Sequence, residues 1–408
     1  MEPVIDSFEI AHLRLENIRG FRELDLDLRE TDGSARRRTL IIGKNGTCKT
    51  TILRAIAIGL ADQTDGSKLI SEPIGGLISK GKDVGRIVTK LTAEGDCHPS
   101  VTTSLKRIGT KEEIYQDLNL LYPPSIFVCG YGAGRFGTGQ DTGREYRIAD
   151  SVATLFNYQT PLISTELTLH RLRSLFGTAH YERILQGIKR VLGLSPDHEI
   201  ELSPGGGVVI QGPPLWDRIP LEAWADGYRL TFNWLLDLYA WAMRAGTIDE
   251  QGHVTGILLI DEIDQHLHPS MQAEILPRLS EILPEMQIFA TTHSPLVALD
   301  ARPDELIVLR SEGDQIVAES NVPNFLGYSV EDMLADPRLF DSEVYGQETR
   351  KKLEEYRELA SIPRGERGPA ERGQLRSLAV EIGSFEGAPK PENETSRLLK
   401  ELMAKYNL

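Results

Sequence analysis

The stretch Leu40–Leu53, "LIIGKNGTCKTTIL", decides how the rest of the chain is read. A short apolar run, Leu40–Ile42, leads into a glycine loop. "KTTILRAIAIGLAD" then repeats apolar residues at Ile52, Ala55, Ile56 and Leu60, a helical period. Gly43, Gly46, Lys49 and Thr50 fit the spacing G-x-x-x-x-G-K-[ST], but Cys48 stands where glycine usually precedes the lysine. Strand, glycine loop and helix in this order are the context a phosphate-binding loop needs. Backbone N–H groups and the helix N-terminus then point at phosphate oxygens. Asn45, Gly46, Thr47, Cys48, Lys49, Thr50 and Thr51 would line the phosphates. Lys49 would reach the β- and γ-phosphates, the Thr50 hydroxyl would ligate Mg²⁺, and Thr51 would serve the α-phosphate.

Two more elements lie far downstream. "GILLIDEID", Gly256–Asp264, is an apolar strand ending in paired acids, and the C-terminal edge of a parallel sheet is where such sheets bind ligands. Asp261 would hold Mg²⁺, and Glu262 would polarise an attacking water. "IFATTHSP", Ile288–Pro295, puts His293 at the end of another strand, within reach of a γ-phosphate. Each element alone has a plain structural alternative: a chance glycine loop, acids that merely end a strand, a partly buried histidine. Their independence and their order along the chain argue for one site.

These motifs resemble the head of ABC-type ATPases, in particular the SMC/RecF/OLD group, because of "LLIDEIDQHLHP", "TTHSP" and the "LRLENIRGF" that precedes the glycine loop. The resemblance covers most of residues 8–310. It implies an α/β fold: a mixed, largely parallel core sheet with the P-loop, an N-terminal antiparallel sheet, a short helical lobe and a C-terminal helical extension. It also implies ATP and Mg²⁺ as cofactors, with ATP held between two copies of the chain. The signature segment of the partner copy would be Ala225, Asp226 and Gly227 in "LEAWADGYRLTF", where Ala225 lacks the family's hydroxyl and the alternative is an Asp226 cap opening a helix. His268 falls where such heads carry a residue across the dimer. Gln140, a further Mg²⁺ candidate, or Arg135 in "GYGAGRFGTGQD" would face the nucleotide, unless this is a glycine-rich surface loop; adenine and ribose contacts are placed at the Arg19–Arg22 turn.

The expected organisation is an N-terminal lobe over 1–148, a helical lobe over 149–245, a C-terminal lobe with the acidic strand and His293 over 246–322, and a helical extension over 323–408. Alternation through "HLRLENIRGFRELDLDL" predicts a strand pair around Arg19–Gly20, and "GRIVTKLTAEG" and "SVTTSLKRI" continue that sheet. "HEIELSPGGGVVIQG" predicts a hairpin, and "YRLTFNWLLDLYAWAMRAG" a helix. Between Lys49 and Asp261 there are no sustained heptads, which excludes a long coiled-coil arm.

The formal net charge of -15 argues against a wholly basic nucleic-acid binder, though DNA binding through a local patch stays open. No run spans a bilayer and the N-terminus shows no secretory pattern. Three scattered cysteines form no disulfide framework, which suits the cytoplasm. After Asp300 no strand with paired acids suggests a nuclease of the chain's own. What remains resembles the compact stand-alone ATPases of bacterial anti-phage operons, which implies slow ATP hydrolysis, a separate nuclease partner and a higher homo-oligomer. A RecF-like repair ATPase and a nucleotide-sensing scaffold with negligible hydrolysis are the alternatives. Oxidation of the Cys48 thiol would block the loop; the simpler reading is a small side chain that fits.

Overall fold

The computed structural model describes residues 8–72, 76–92, 99–118, 126–135, 137–139, 143, 145–203, 207–213, 217–319, 322, 324–342, 346–362 and 367–386. The chain divides into two compact units, Met1–Asn324 and Phe325–Leu408.

In the first unit, β1 (Glu9–Ile18) and β2 (Phe21–Asp27) form the expected hairpin, with Arg19–Gly20 as its turn. Leu13, Leu15, Leu24, Leu26 and Leu28 all turn inward and are buried. After β3 (Arg38–Gly43), α1 (Lys49–Leu60) and α2 (Gln63–Ile70) come β4 (Val84–Thr92), β5 (Ser100–Ile108) and β6 (Lys111–Leu118). These complete a five-stranded antiparallel sheet in the order β2-β1-β4-β5-β6. Strand β6, "KEEIYQDL", is too charged to stand out in the sequence; its full-length pairing with β5 creates it.

Next come β7 (Val128–Tyr131), α3 (Ile148–Ser151) and α4 (Thr165–Val191), the last broken by the non-helical Gly177 (φ 74°). A small sheet of β8 (Glu199–Leu202), β9 (Val208–Gln211) and β10 (Ile219–Pro220) precedes α5 (Asp226–Ala245). Then follow β11 (Gly256–Ile260), α6 (Pro269–Gln272), α7 (Ile275–Ile282), β12 (Met286–Thr291), α8 (Pro295–Ala298), β13 (Leu306–Glu312) and β14 (Gln315–Glu319).

The central sheet has the order β14-β13-β3-β12-β11-β7; only β14 runs antiparallel. Every residue of β12 is buried, as is "ILLI" of β11, which is why these strands read as continuous apolar runs. Helix α1 contacts strands of both sheets, which explains why it is buried nearly all round rather than along one stripe. Strands β3 and β7 precede the helical region in sequence and β11–β14 follow it, so the segments of the chain interleave in space.

One buried polar side chain joins the two sheets. Strand β1 shifts register between Ile10 and His12, and the backbone groups of Ile10 bond a side chain of the neighbouring sheet. The fully buried Gln287 amide answers them: its Oε1 accepts from the Ile10 N–H (2.7 Å), and its Nε2 donates to Ile10 O (2.9 Å) and Arg36 O (3.0 Å).

The second unit contains α9 (Val330–Ala335), opened by a Ser329–Asp332 capping box, and the helices α10 (Gln347–Ser361) and α11 (Pro369–Glu386), which pack together. A Lys352–Glu381 ion pair (2.9 Å) links α10 and α11.

Candidate functional site

Parallel register carries the distant motifs to one sheet edge. Ile41 pairs with Thr291, Leu309 with Gly43, and Ile260 with both Ala290 and Tyr131. The glycine loop, Asp261, the Thr291–His293 strand end and Gly132 therefore all leave the sheet at its C-terminal edge.

Within the loop, Asn45 and Gly46 are exposed and Thr47 is buried, its hydroxyl donating to Lys44 O (2.8 Å). Lys49 is buried, and its ammonium donates to Gly43 O (2.8 Å) and Lys44 O (3.2 Å). Burial lowers its pKa, opposed by the charges of Asp261, Glu262 and Asp264. Thr51 is buried at the start of α1. Gly43 is sterically required: a Cβ there would lie 2.6 Å from Leu309 O and 2.6 Å from Thr47 Oγ1.

Cys48 occupies the left-handed region (φ 64°, ψ 27°) immediately before α1. This explains why glycine is usual there, since a Cβ in that region costs about 1–2 kcal/mol. Its side chain packs against the core between the sheets. Cys48→Gly relieves the strain but loses packing and adds unfolded-chain entropy worth about 0.5–1 kcal/mol. The expected result is a melting free energy within about 1 kcal/mol of wild type and nucleotide affinity no weaker than wild type. A tenfold loss of binding in a titration would show that the thiol has a role of its own.

The acids are held differently. Asp261 is buried and both its oxygens accept from threonine hydroxyls: Oδ2 from Thr50 (2.7 Å) and Oδ1 from Thr291 (2.6 Å). Glu262 is half-buried and its backbone is left-handed (φ 48°). Among the described residues no hydrogen bond ends on its carboxylate. Burial first, then Asp261 and Asp264, push its carboxyl above the usual range, against the pull of Arg135 and Lys49. Its N–H donates to Thr291 Oγ1 (2.8 Å).

His293 is exposed just after β12; partial burial, then Lys49, lower its imidazole pKa, which favours the neutral ring. Asp264 fixes this corner, accepting from the Thr292 hydroxyl (2.5 Å) and the His293 N–H (3.3 Å). Ser294 caps α8 and donates to Gln272 Oε1 (2.7 Å). Asp264, Thr291, Thr292 and Gln272 escaped the sequence reading. The signal was present in the second acid of "DEID" and the Thr-Thr pair, but nothing local assigns them partners.

Other candidates lie elsewhere. Ala225 and Asp226 are exposed at the start of α5, where Asp226 pairs with Arg229 (2.6 Å). Gly227 is buried against the turn after the acidic strand, where a Cβ would lie 2.5 Å from His266 O. His268 is exposed and caps α6, with Pro269 at the first helical position. Gln140 lies outside the described residues. Arg135 is only 5% exposed, and its guanidinium bonds the backbone carbonyls of Asp261 and Glu262.

Two family models match the chain: an AAA domain over residues 12–122, and an AAA domain described as a putative AbiEii toxin of a type IV toxin–antitoxin system over residues 234–300. Septu protein PtuA of Bacillus mycoides (strain KBAB4) is 26% identical over 338 residues, covering 80% of this chain and 44% of that protein. The chain is similar to PtuA over most of its own length, and both family-model matches are to AAA domains. It thus spans less than half the length of this curated relative. Retron Ec83 probable ATPase of Escherichia coli is 60% identical over 43 residues (10% of this chain, 8% of that protein), and retron Vc95 probable ATPase of Vibrio cholerae serotype O1 biovar El Tor is 32% identical over 112 residues (27% and 21%). Among solved structures, an SMC head bound to the C-terminal winged-helix domain of ScpA aligns at TM-score 0.48 and 17% identity, covering 76% of this chain and 96% of that one. No helix among the described residues is long and apolar enough to cross a membrane.

Proposed function

We propose that this head binds ATP with Mg²⁺ along Asn45–Thr51, closes on a second copy around the nucleotide, hydrolyses ATP slowly, and through that cycle regulates a separate effector, a nuclease, in anti-phage defence. The 2.7 Å hydrogen bond from Thr50 to Asp261 carries this reading, because it puts a hydroxyl and a carboxylate oxygen side by side at the mouth of a phosphate loop. Hard oxygen donors, few in number, suit Mg²⁺, which keeps waters and phosphate oxygens as its remaining ligands. Once bound, Mg²⁺ would neutralise phosphate charge.

The chain's own residues divide the work. Lys49 exchanges its loop carbonyls for phosphate oxygens. Asp261 is pinned and serves as ligand. Glu262 has the carboxylate left over to polarise water, and His293 faces the γ-phosphate with a neutral ring. In trans, Gly227 and its neighbours Ala225 and Asp226 would bring an α5 N-terminus to the partner's nucleotide, and His268 would lie at the same seam. The likeness to Septu and retron ATPases supports the defence role; the nuclease partner and a higher oligomer rest on that likeness alone.

Thr50→Ala tests the assignment. ATP titrated with and without Mg²⁺ should bind wild type more tightly with the ion, and the variant should lose most of that difference, about tenfold for one charge-assisted contact of ~1.5 kcal/mol. A variant with undiminished Mg²⁺ dependence sinks the reading.

A further inference from the structure

Arg135 is a buried arginine beside the acidic turn, and its surroundings give it a task. Its Nη1 donates to Gly132 O (2.9 Å) and Asp261 O (2.8 Å), and its Nη2 to Glu262 O (3.0 Å). Three backbone carbonyls thus converge on one buried guanidinium, whose charge is favoured by the nearby charges of Asp261, Glu262 and Asp264. Burial lowers its pKa to about 10, which still leaves it charged at neutral pH. A buried charge is costly unless it is held by good partners. Here the partners are the backbone of the acidic turn, and the planar fork of arginine reaches two successive carbonyls in a way that an ammonium does not reproduce.

The loop carrying Arg135 is itself fixed. A Cβ on Gly132 would lie 2.2 Å from Thr154 O, and one on Gly134 2.4 Å from Tyr158 Cβ, so the loop lies flush against Thr154–Tyr158. That segment is tied to the phosphate-loop helix, because the buried Arg54 of α1 donates to Leu155 O (2.6 Å) and stacks over Phe156. Glu262 meanwhile sits in a left-handed conformation that a non-glycine residue adopts only when its surroundings impose it. Thr291 holds its N–H from one side and Arg135 its carbonyl from the other.

We propose that Arg135 is a positioning residue for Glu262: by clamping the carbonyls of Asp261 and Glu262 it holds the strained turn that carries the Glu262 carboxylate. The proposal rests on the role given to Glu262 above.

Arg135→Lys is the variant, made alone and with Glu262→Gln, with Arg135→Gln as a second replacement should the lysine protein not fold. Amide hydrogen exchange on the nucleotide-free chain reads the clamp without any turnover. Exchange across 258–265 should quicken at least tenfold, while peptides of β1, β2 and α5 keep wild-type rates. In steady-state kinetics Arg135→Lys should lower kcat by ten- to a hundredfold with KM changed less than threefold, and should lower the residual rate of Glu262→Gln no further. Unchanged exchange at 258–265, or an equal fold loss in both backgrounds, overturns the proposal. A wild-type chain that releases no phosphate from ATP refutes the ATPase reading instead, and the exchange result then still decides whether Arg135 holds the turn.

Discussion

Glu262→Gln is expected to bind ATP as wild type does and to hydrolyse it at least about a hundredfold more slowly, the lower range for losing a general base. The amide is nearly isosteric, and the conformation of residue 262 is fixed by its backbone, through Thr291 and Arg135, rather than by its carboxylate. The substitution therefore leaves the site standing while removing the group that would accept a proton from water. With binding retained and turnover stopped, ATP-bound dimer should accumulate. Phosphate release measures the rate, and light scattering after gel filtration with ATP and Mg²⁺ measures the mass. Equal rates for variant and wild type would remove Glu262 from the mechanism and favour Asp261 or a scaffold that does not hydrolyse.

Lys49→Ala is expected to act one step earlier and weaken ATP binding itself. The ammonium is buried and held by Gly43 O and Lys44 O, so it waits at the loop rather than being gathered from solvent. Hydrogen bonds to charged groups contribute about 1.5–3 kcal/mol; losing one such bond to phosphate corresponds to a weakening of roughly tenfold to a hundredfold. Titration with a fluorescent ATP analogue should show this shift, without any ATP-dependent change in mass. Binding within threefold of wild type would mean that nucleotide lies elsewhere. The two variants separate binding from chemistry.

Much of the fold was legible because its signals are local. Period-two alternation gave β1 and β2, the unbroken apolar runs gave β3, β11 and β12, and the spacing of apolar residues after the glycine loop gave α1. Strand β6 was not legible, because eight residues dominated by charged and polar side chains become a strand only when β5 offers them a ladder. The kink at Gly177 was hidden within an apparently helical run.

For the site the division is similar. Sequence alone named Lys49, Thr50, Asp261, Glu262 and His293, since residue type and place at a strand end carry the chemistry. It did not show which donors hold each acid, it did not place Arg135 under the acidic turn, and it gave Gly227 a role in a partner's site without seeing its contact with His266 in the same chain. Those matters depend on distances between segments far apart in the chain, and they are set by the parallel register of β3, β12, β11 and β7. Only when that register brings Thr50 and Thr291 to the two oxygens of Asp261 is one acid pinned while its neighbour's carboxylate stays unbonded among the described residues. The sequence by itself determined which groups this protein has to work with. The tertiary structure decided which of them face one another, because a carboxylate's role is set by the donors that surround it, and those donors are supplied by other strands.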